Sequence, residues 1–252
     1  MLKLKNISVS FGPTSVLRNL SCTIQEGDFI VIVGANGSGK STFFDTIAGT
    51  IKPITGHIML ENTEITNLDE KHRALYISRL FQNTVKNSVG SLTVAQNLAL
   101  ATYKNRSVGL VNGMKHLSLD QAKKILEPLN GDVKKLLDKK MQSLSGGQRQ
   151  LISFIMATLI PPKILLLDEP TAALDPTAAT ILLKYAAPYV KKHNITTLLI
   201  THDPHIALSI GNKVWVLEQG NITKQFTGEE KKQLNPDKLI GQIDYQALAE
   251  TA

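Results

Sequence analysis

An apolar run, Phe29-Ile-Val-Ile-Val33, leads directly into a glycine-rich loop, Gly34-Ala-Asn-Gly-Ser-Gly-Lys-Ser41. Apolar residues then recur at helical spacing as far as Ala48 and stop at Gly49. Strand, glycine loop and helix in that order leave few folds open. The strand is aliphatic and aromatic throughout, which marks it as buried on both faces, as in a parallel sheet with helices on either side. Two spaced glycines followed by Lys and Ser form a phosphate-binding pattern when this context surrounds them, and an ordinary glycine turn is the bland alternative. Gly34, Gly37 and Gly39, with Asn36 and Ser38 between them, let successive N–H groups turn inward toward an anion. The helix start at Lys40, Ser41 and Thr42 adds a partial positive charge. Lys40 is expected to reach the β- and γ-phosphates of a nucleotide, and the Ser41 hydroxyl to take a Mg²⁺ position.

Two further strands end in residues suited to the same chemistry. Ile164-Leu-Leu-Leu167 runs into Asp168 and Glu169, and Ile195-Thr-Thr-Leu-Leu-Ile-Thr201 runs into His202. Ligands of open parallel sheets collect at the C-terminal strand edge. Asp168 is expected to hold Mg²⁺ through its water shell, and Glu169 to polarise the attacking water. Paired acids after a strand are often a solvated loop, but four aliphatics directly before these argue against it. His202 gains a polar role near phosphate from its place after a buried strand. The other five histidines have no such position and no metal-ligand spacing.

A second anion site is written farther along. Ser145 stands three residues before Gln148, the spacing of a reciprocal helix cap, while Gly146 and Gly147 keep the helix start uncovered. An uncovered helix start attracts anions. One nucleotide has one γ-phosphate, so a chain with two such sites makes sense as a head-to-tail pair in which two-fold symmetry repeats the contact.

On Gly34–Thr42, Leu144–Gln148, Ile164–Pro170 and Thr201-His202-Asp203, the chain resembles the nucleotide-binding subunit of an ATP-binding cassette (ABC) transporter. The resemblance runs over nearly the whole chain in the family's motif order. It implies an α/β fold: a P-loop NTPase (RecA-like) core with an antiparallel β subdomain and an inserted α-helical subdomain. It implies that Phe11, where the family more often has Tyr, stacks on adenine. Gln82 matches the glutamine that touches Mg²⁺ and opens the segment facing a membrane partner. Asp175, in Ala173-Leu-Asp175, belongs to the loop that crosses to the opposite subunit, and His202 senses the γ-phosphate. ATP, Mg²⁺, a second copy of the chain and transmembrane permease subunits are therefore the implied company.

A narrower likeness rests on Arg73–Gln82, Gln96–Ala101, Ser145–Leu159 and Gly228–Leu234. These stretches resemble bacterial importer ATPases that work with a permease and a lipoprotein-type binding protein, some of them taking aromatic amino acids. Pro170 departs from that group, where histidine is common. The likeness implies a cytoplasmic protein, peripheral on the inner face of the cell membrane, that powers import of a small solute such as an amino acid. An extracytoplasmic substrate-binding protein would act through the permease. The same motor suits an exporter, and cassette ATPases also serve in the cytosol. Relatives in translation usually carry two cassettes and those in DNA repair carry long coiled-coil or zinc insertions, neither of which is present here.

Composition agrees. The 252 residues are enough for a core with an inserted subdomain, and Cys22 is the lone cysteine, which excludes an internal disulfide. No apolar run reaches membrane-spanning length, and the N-terminus alternates like a strand instead of carrying a signal peptide's apolar core. A formal charge of +7 leaves two readings, attraction to nucleic acid or an anionic surface, or simple solubility and attraction of ATP. The lysine pairs are dispersed, with no basic tract bearing aromatics, so no nucleic-acid partner is expected. The pattern divides the chain into a core with its β portion over 1–87 and 156–230, a helical subdomain over 88–155, and a helical tail over 231–252. Strands are expected near 2–11, 16–24, 56–60, 74–81 and 213–217, helices from Thr93 and over 119–129, a loop over 105–119, and helix through most of 227–252.

Overall fold

The three aliphatic runs form neighbouring parallel strands in the computed structural model, which describes residues 1–102, 119–129 and 132–243. They are β3 (Phe29–Val33), β7 (Ile164–Asp168) and β8 (Thr196–Ile200). Together with β6 (Ile77–Leu80), β9 (Lys213–Glu218) and β10 (Asn221–Thr227) they make a six-stranded sheet ordered β10-β9-β3-β8-β7-β6. Only β10 runs antiparallel to its neighbour. Ile32 and Asp168 both pair with Ile200, so β3, β7 and β8 end level and their following loops leave from one edge.

Alternation along these strands splits the core in two. Ile30, Ile32, Leu166, Leu198 and Ile200 face a cluster shared with helix α1 (Lys40–Ala48) and a second, antiparallel sheet. That sheet is ordered β2-β1-β4-β5, from β1 (Leu2–Phe11), β2 (Thr14–Ile24), β4 (Thr55–Leu60) and β5 (Thr63–Glu64). Val31, Val33, Leu165, Leu167 and Leu199 face the other cluster, shared with the helical region. The expected alternation in β1 slips once, from Leu2 and Leu4 to Ile7 and Val9. Asn6 absorbs the slip at φ 55° beside a register shift, and its N–H is taken by Ser21 Oγ at 2.8 Å.

The helical region holds α3 (Val94–Ala101), α4 (Leu119–Leu126), α5 (Val133–Asp138) and the start of α6 (Gly146–Thr158). Thr93 and Gln96 cap α3 reciprocally, as their spacing requires. Helix α6 is continuous across residue 155, where sequence alone divides helical subdomain from core. Its apolar face, Leu151, Ile152, Phe154 and Ile155, stays buried through the crossing, so no break forms there. The remaining helices are α7 (Pro176–Lys192), α8 (Pro204–Ser209), α9 (Gly228–Gln233) and α10 (Pro236–Ile240). Strand β10, unforeseen in sequence, precedes the helical tail, and α9 spans the expected core–tail boundary at 230/231. The expected loop over 105–119 lies outside the described residues except for Leu119, and the tail is described as far as residue 243. Among the described residues no helix is long and apolar enough to cross a membrane.

The expected strand over 74–81 is shorter than its apolar pattern, because α2 (Glu70–Arg73) ends just before it and a turn occupies residues 74–76. Arg73 explains why. Its side chain is fully buried and its guanidinium donates to the carbonyls of Thr46 at 2.6 Å, Ile47 at 2.8 Å, Thr66 at 2.9 Å and Leu68 at 3.0 Å. Two of those carbonyls close the last turn of α1, where a cation also suits the helix dipole. Burial pushes the Arg73 pKa down to about 10, which keeps it charged at neutral pH. Arg73→Met strands these carbonyls without donors. Urea unfolding should report a loss of about 3 kcal/mol or more, since bonds from a charged donor contribute about 1.5–3 kcal/mol each; a loss below about 1 kcal/mol would show that water replaces the guanidinium.

Candidate nucleotide and metal site

The glycine loop leaves β3 at Val33 and enters α1 at Lys40. A Cβ on Gly34 would stand 2.2 Å from the Leu217 carbonyl oxygen, so β9 admits only glycine there. Gly39, the residue before the helix, has φ 102° and offers no side-chain cap. The first-turn amides of α1 thus lack both an intrahelical acceptor and a competing side chain. Lys40 is buried, and its Nζ donates to the carbonyls of Gly34 at 2.9 Å and Ala35 at 2.8 Å. Burial holds the ammonium below the usual lysine range, while the charges of Glu169 and Asp168 oppose that shift. Ser38 Oγ is buried with no hydrogen-bond partner among the described residues. A cradle closed to any Cβ and an orphaned buried hydroxyl both fit a phosphate. Asn36, Gly37 and Ser41 are exposed at the loop's rim, and Thr42 is half-buried.

Across the level edge stand the acids. Glu169 has φ 44°, a left-handed conformation that costs a non-glycine residue about 1–3 kcal/mol. It persists because its N–H donates to the Ile200 carbonyl at 3.1 Å, extending the β7–β8 ladder by one bond. This places Glu169 Oε2 3.2 Å from His202 Nδ1. His202 is mostly exposed and Glu169 mostly buried, so the pair spans the rim of the edge.

Ser41, Gln82 and Asp168 line one pocket of about 680 Å³, together with Asp45, Arg79 and Phe81. The three expected metal-side residues are thereby gathered, and their donors are all oxygens, which suits Mg²⁺. Among the described residues no group of three His, Cys, Asp or Glu could hold a metal by itself. Arg79 is a residue that the sequence motifs did not single out. Its guanidinium donates to Asp168 Oδ2 at 2.7 Å and to Asp45 Oδ1, and lies 4.4 Å over the Phe81 ring. Burial works against this cation, but its hydrogen bonds to Asp45 and Asp168 outweigh that and raise its pKa. A charged residue within a short buried strand was the available signal, since such a charge requires a partner. Asn87 and Gln150 were missed as well. Asn87 exchanges two bonds with the Phe81 backbone, at 2.8 and 2.9 Å, and Gln150 Nε2 donates to the Pro170 carbonyl at 3.1 Å.

The second expected anion site forms a separate face. Ser145 caps α6, and Gln148 returns the bond to the Ser145 N–H, the reciprocal arrangement read from their spacing. Ser145, Gly147, Gln148 and Asp175 line a pocket of about 260 Å³ that shares no residue with the one at Ser41. Gly146 is exposed at the helix start. A Cβ on Gly147 would meet Ala178 Cβ at 2.5 Å, so α6 and α7 touch through it. Asp175 caps α7 by accepting from the Ala178 N–H at 2.9 Å. Phe11 is about half exposed at the end of β1, on the hairpin whose second strand lies against Gly39 through Val16 and Leu17.

Residues 17–172 match the family model described as ABC transporter. The chain belongs to the ABC transporter family. It is an ATP-binding, ATP-hydrolysing subunit of that family, with the P-loop NTPase fold. The Tyrosine transport ATP-binding protein of Clostridioides difficile (strain R20291) is 40% identical to it over 250 residues, covering 97% of this chain and 99% of the relative. The ADP conformation of an ATP-binding cassette of an ABC transporter superposes with a TM-score of 0.78 at 30% identity, covering 96% of this chain and 97% of the other. A dimeric ATP-binding cassette in a post-hydrolysis state with ADP and Pi gives 0.75 at 28% identity, covering 90% and 98%.

Gly34→Ala drives a methyl group into the Leu217 carbonyl, which is backbone and cannot yield cheaply. Fluorescent-nucleotide titration should find ATP affinity at least about tenfold weaker, equivalent to about 1.4 kcal/mol. Unchanged affinity would mean that β9 retreats and that the close approach is not required.

Proposed function

We propose that this ABC subunit hydrolyses ATP with Glu169 as general base, and that it drives import of an amino acid through a membrane permease. The observation that carries the catalytic reading is the 3.2 Å contact between Glu169 and His202 on the strand edge that also bears the Lys40 loop. In this reading Gly34, Asn36, Gly37, Ser38, Gly39, Lys40, Ser41 and Thr42 hold the phosphates. Phe11 stacks on adenine. Ser41 and Gln82 hold Mg²⁺, with Asp168 acting through its water shell. Bound with the nucleotide, Mg²⁺ offsets charge on the β- and γ-phosphates. Glu169 takes the proton of the attacking water, and His202, on its other side, reports the γ-phosphate.

Ser145, Gly146, Gly147, Gln148 and Asp175 belong to a second copy's nucleotide in this arrangement. Their face shares no pocket residue with the phosphate site, which a two-fold pair brings opposite it. The dimeric relative with ADP and Pi supports that pairing. Glu169→Gln keeps shape and hydrogen bonding but cannot accept the proton. Turnover should fall at least about a hundredfold while ATP binding survives. Light scattering should show an ATP-dependent dimer of that variant, and adding Ser145→Arg should abolish it. Near-normal turnover in Glu169→Gln, or a dimer insensitive to Ser145→Arg, overturns the respective assignment.

Residues 83–92 are the surface proposed to dock the permease, at the inner face of the cell membrane. They carry Val85 and Val89, both exposed apolar side chains, and follow Gln82 directly. Within this reading the core spans 1–87 and 156–230, the helical subdomain 88–155 and the tail 231–252, with α6 as the rod between the first two. An amino-acid cargo, delivered by an extracytoplasmic binding protein, is supported by the tyrosine-transport relative that matches almost end to end. Val85→Cys is a suitable crosslinking probe, because Val85 is exposed, whereas Asn87 ties down the Phe81 backbone. It should crosslink to a copurified permease, and cells carrying Glu169→Gln should lose uptake of labelled tyrosine to background. Crosslinks to nucleic acid or ribosomal proteins alone would replace the transport reading with a cytosolic one.

A further inference from the structure

Arg79 is a buried charged group in the phosphate-side pocket for which the proposed hydrolysis has no use. It lies on β6, and its two terminal nitrogens go to different elements: one to Asp168 at the end of β7, the other to Asp45 on α1. Asp45 is four residues beyond Ser41, hence on the same helix face, one turn on. The guanidinium is planar and forked, which lets one cation span two carboxylates that would otherwise repel each other. The Phe81 ring covers one face of the fork, and Nε is buried with no partner among the described residues, so the two carboxylates and the ring fix its orientation. Arg79 is nine-tenths buried and Asp168 nearly so, so solvent screens their interaction weakly. Glu70 and Lys86 also line the pocket and offset one another in charge.

We propose that Arg79 is a positioning residue that clamps Asp168 to Asp45 and so sets how tightly the phosphate site takes a divalent cation. The proposal rests on Asp168 serving that cation. With Arg79 in place the trio carries one net negative charge, and Asp168 Oδ2 is committed, which leaves Oδ1 for the metal's water shell. Removing the arginine frees two carboxylates and adds negative charge to the site. Removing Asp45 instead leaves Arg79 with Asp168 alone, as a neutral pair. The two changes act on cation affinity with opposite signs.

Titration of Mn²⁺ in the presence of ADP, with free Mn²⁺ read by electron paramagnetic resonance, tests this without turnover. Arg79→Met should lower the half-saturating Mn²⁺ concentration by about threefold or more, and Asp45→Asn should raise it by a similar factor. Arg79→Lys keeps the charge but cannot span both carboxylates. Its Mn²⁺ titration should stay near the parent while kcat falls about tenfold at an almost unchanged KM for ATP, as expected when a metal-side carboxylate loses its support. A merely structural Arg79 would weaken Mn²⁺ binding in Arg79→Met as in Asp45→Asn, and shifts of the same sign overturn the proposal. An unchanged kcat in Arg79→Lys overturns the clamp. If Arg79→Met does not fold, Asp45→Asn and Arg79→Lys decide by the same criteria. A parent protein whose ADP binding draws no Mn²⁺ at all removes the metal reading of Asp168, and the clamp with it.

Discussion

The hydrogen-bonded ladder joining β3, β8 and β7 is the constraint on which the rest of the site depends. Ile32 and Asp168 meet at Ile200, and the ladder continues one step into the loops through the Thr201 N–H to Ile32 and the Glu169 N–H to Ile200. Side chains alternate across a strand, so a slip of one residue would turn Asp168 and Glu169 to opposite faces. The buried alternation on both sheet faces opposes such a slip, because it would set every aliphatic residue of the strand against the wrong cluster. The geometry of the strand edge is in this sense maintained by the packing of Leu165, Leu166 and Leu167 as much as by its polar groups.

Elements whose signal is local were legible in the sequence. The aliphatic strands, the two reciprocal caps at Thr93 and Ser145, and the glycine loop each depend on residues within a few positions of one another. Two features that sequence did not disclose are set by distant partners. Arg73 looks like an ordinary surface residue until the end of α1 is brought over it, and Arg79 is explained by Asp45 and Asp168, which lie 34 and 89 residues away. Strand β10 was missed because every second residue is exposed and several are polar, leaving only Ile222, Lys224 and Phe226 partly covered. The expected division at residue 155 falls within α6, because a helix can change its neighbours without changing its own pattern. Ser41 and Asp168 were legible in their motifs and Gln82 by resemblance, whereas the cation threaded between Asp168 and Asp45 was not.

Polar groups at the two candidate anion sites are prepared differently. At the phosphate loop the donors are backbone amides held by glycines and by contact with β9, so the site is stiff before any ligand arrives. At Ser145 the helix start is held by its own side-chain cap, a weaker support that an incoming anion must share. Binding at the first site therefore demands little reorganisation, while closure on the second exchanges one hydrogen bond for another.

Helix α6 has a mechanical consequence. Thirteen residues make a rod about 20 Å long, and Gln150 fastens it near one third of its length to the Pro170 carbonyl, one residue beyond Glu169. The tip at Ser145 lies about 7 Å from that fastening, so a tilt of about 10° moves it by about 1 Å relative to that point. The far arm is held among Phe154, Ile155 and the aromatic rings of Tyr185 and Tyr189. Such a rod pivots at its packed far arm, and the fastening beside Glu169 acts on it between pivot and tip. Any shift in the chain at Pro170 is read out as displacement at the tip, with no side chain needing to travel between the two.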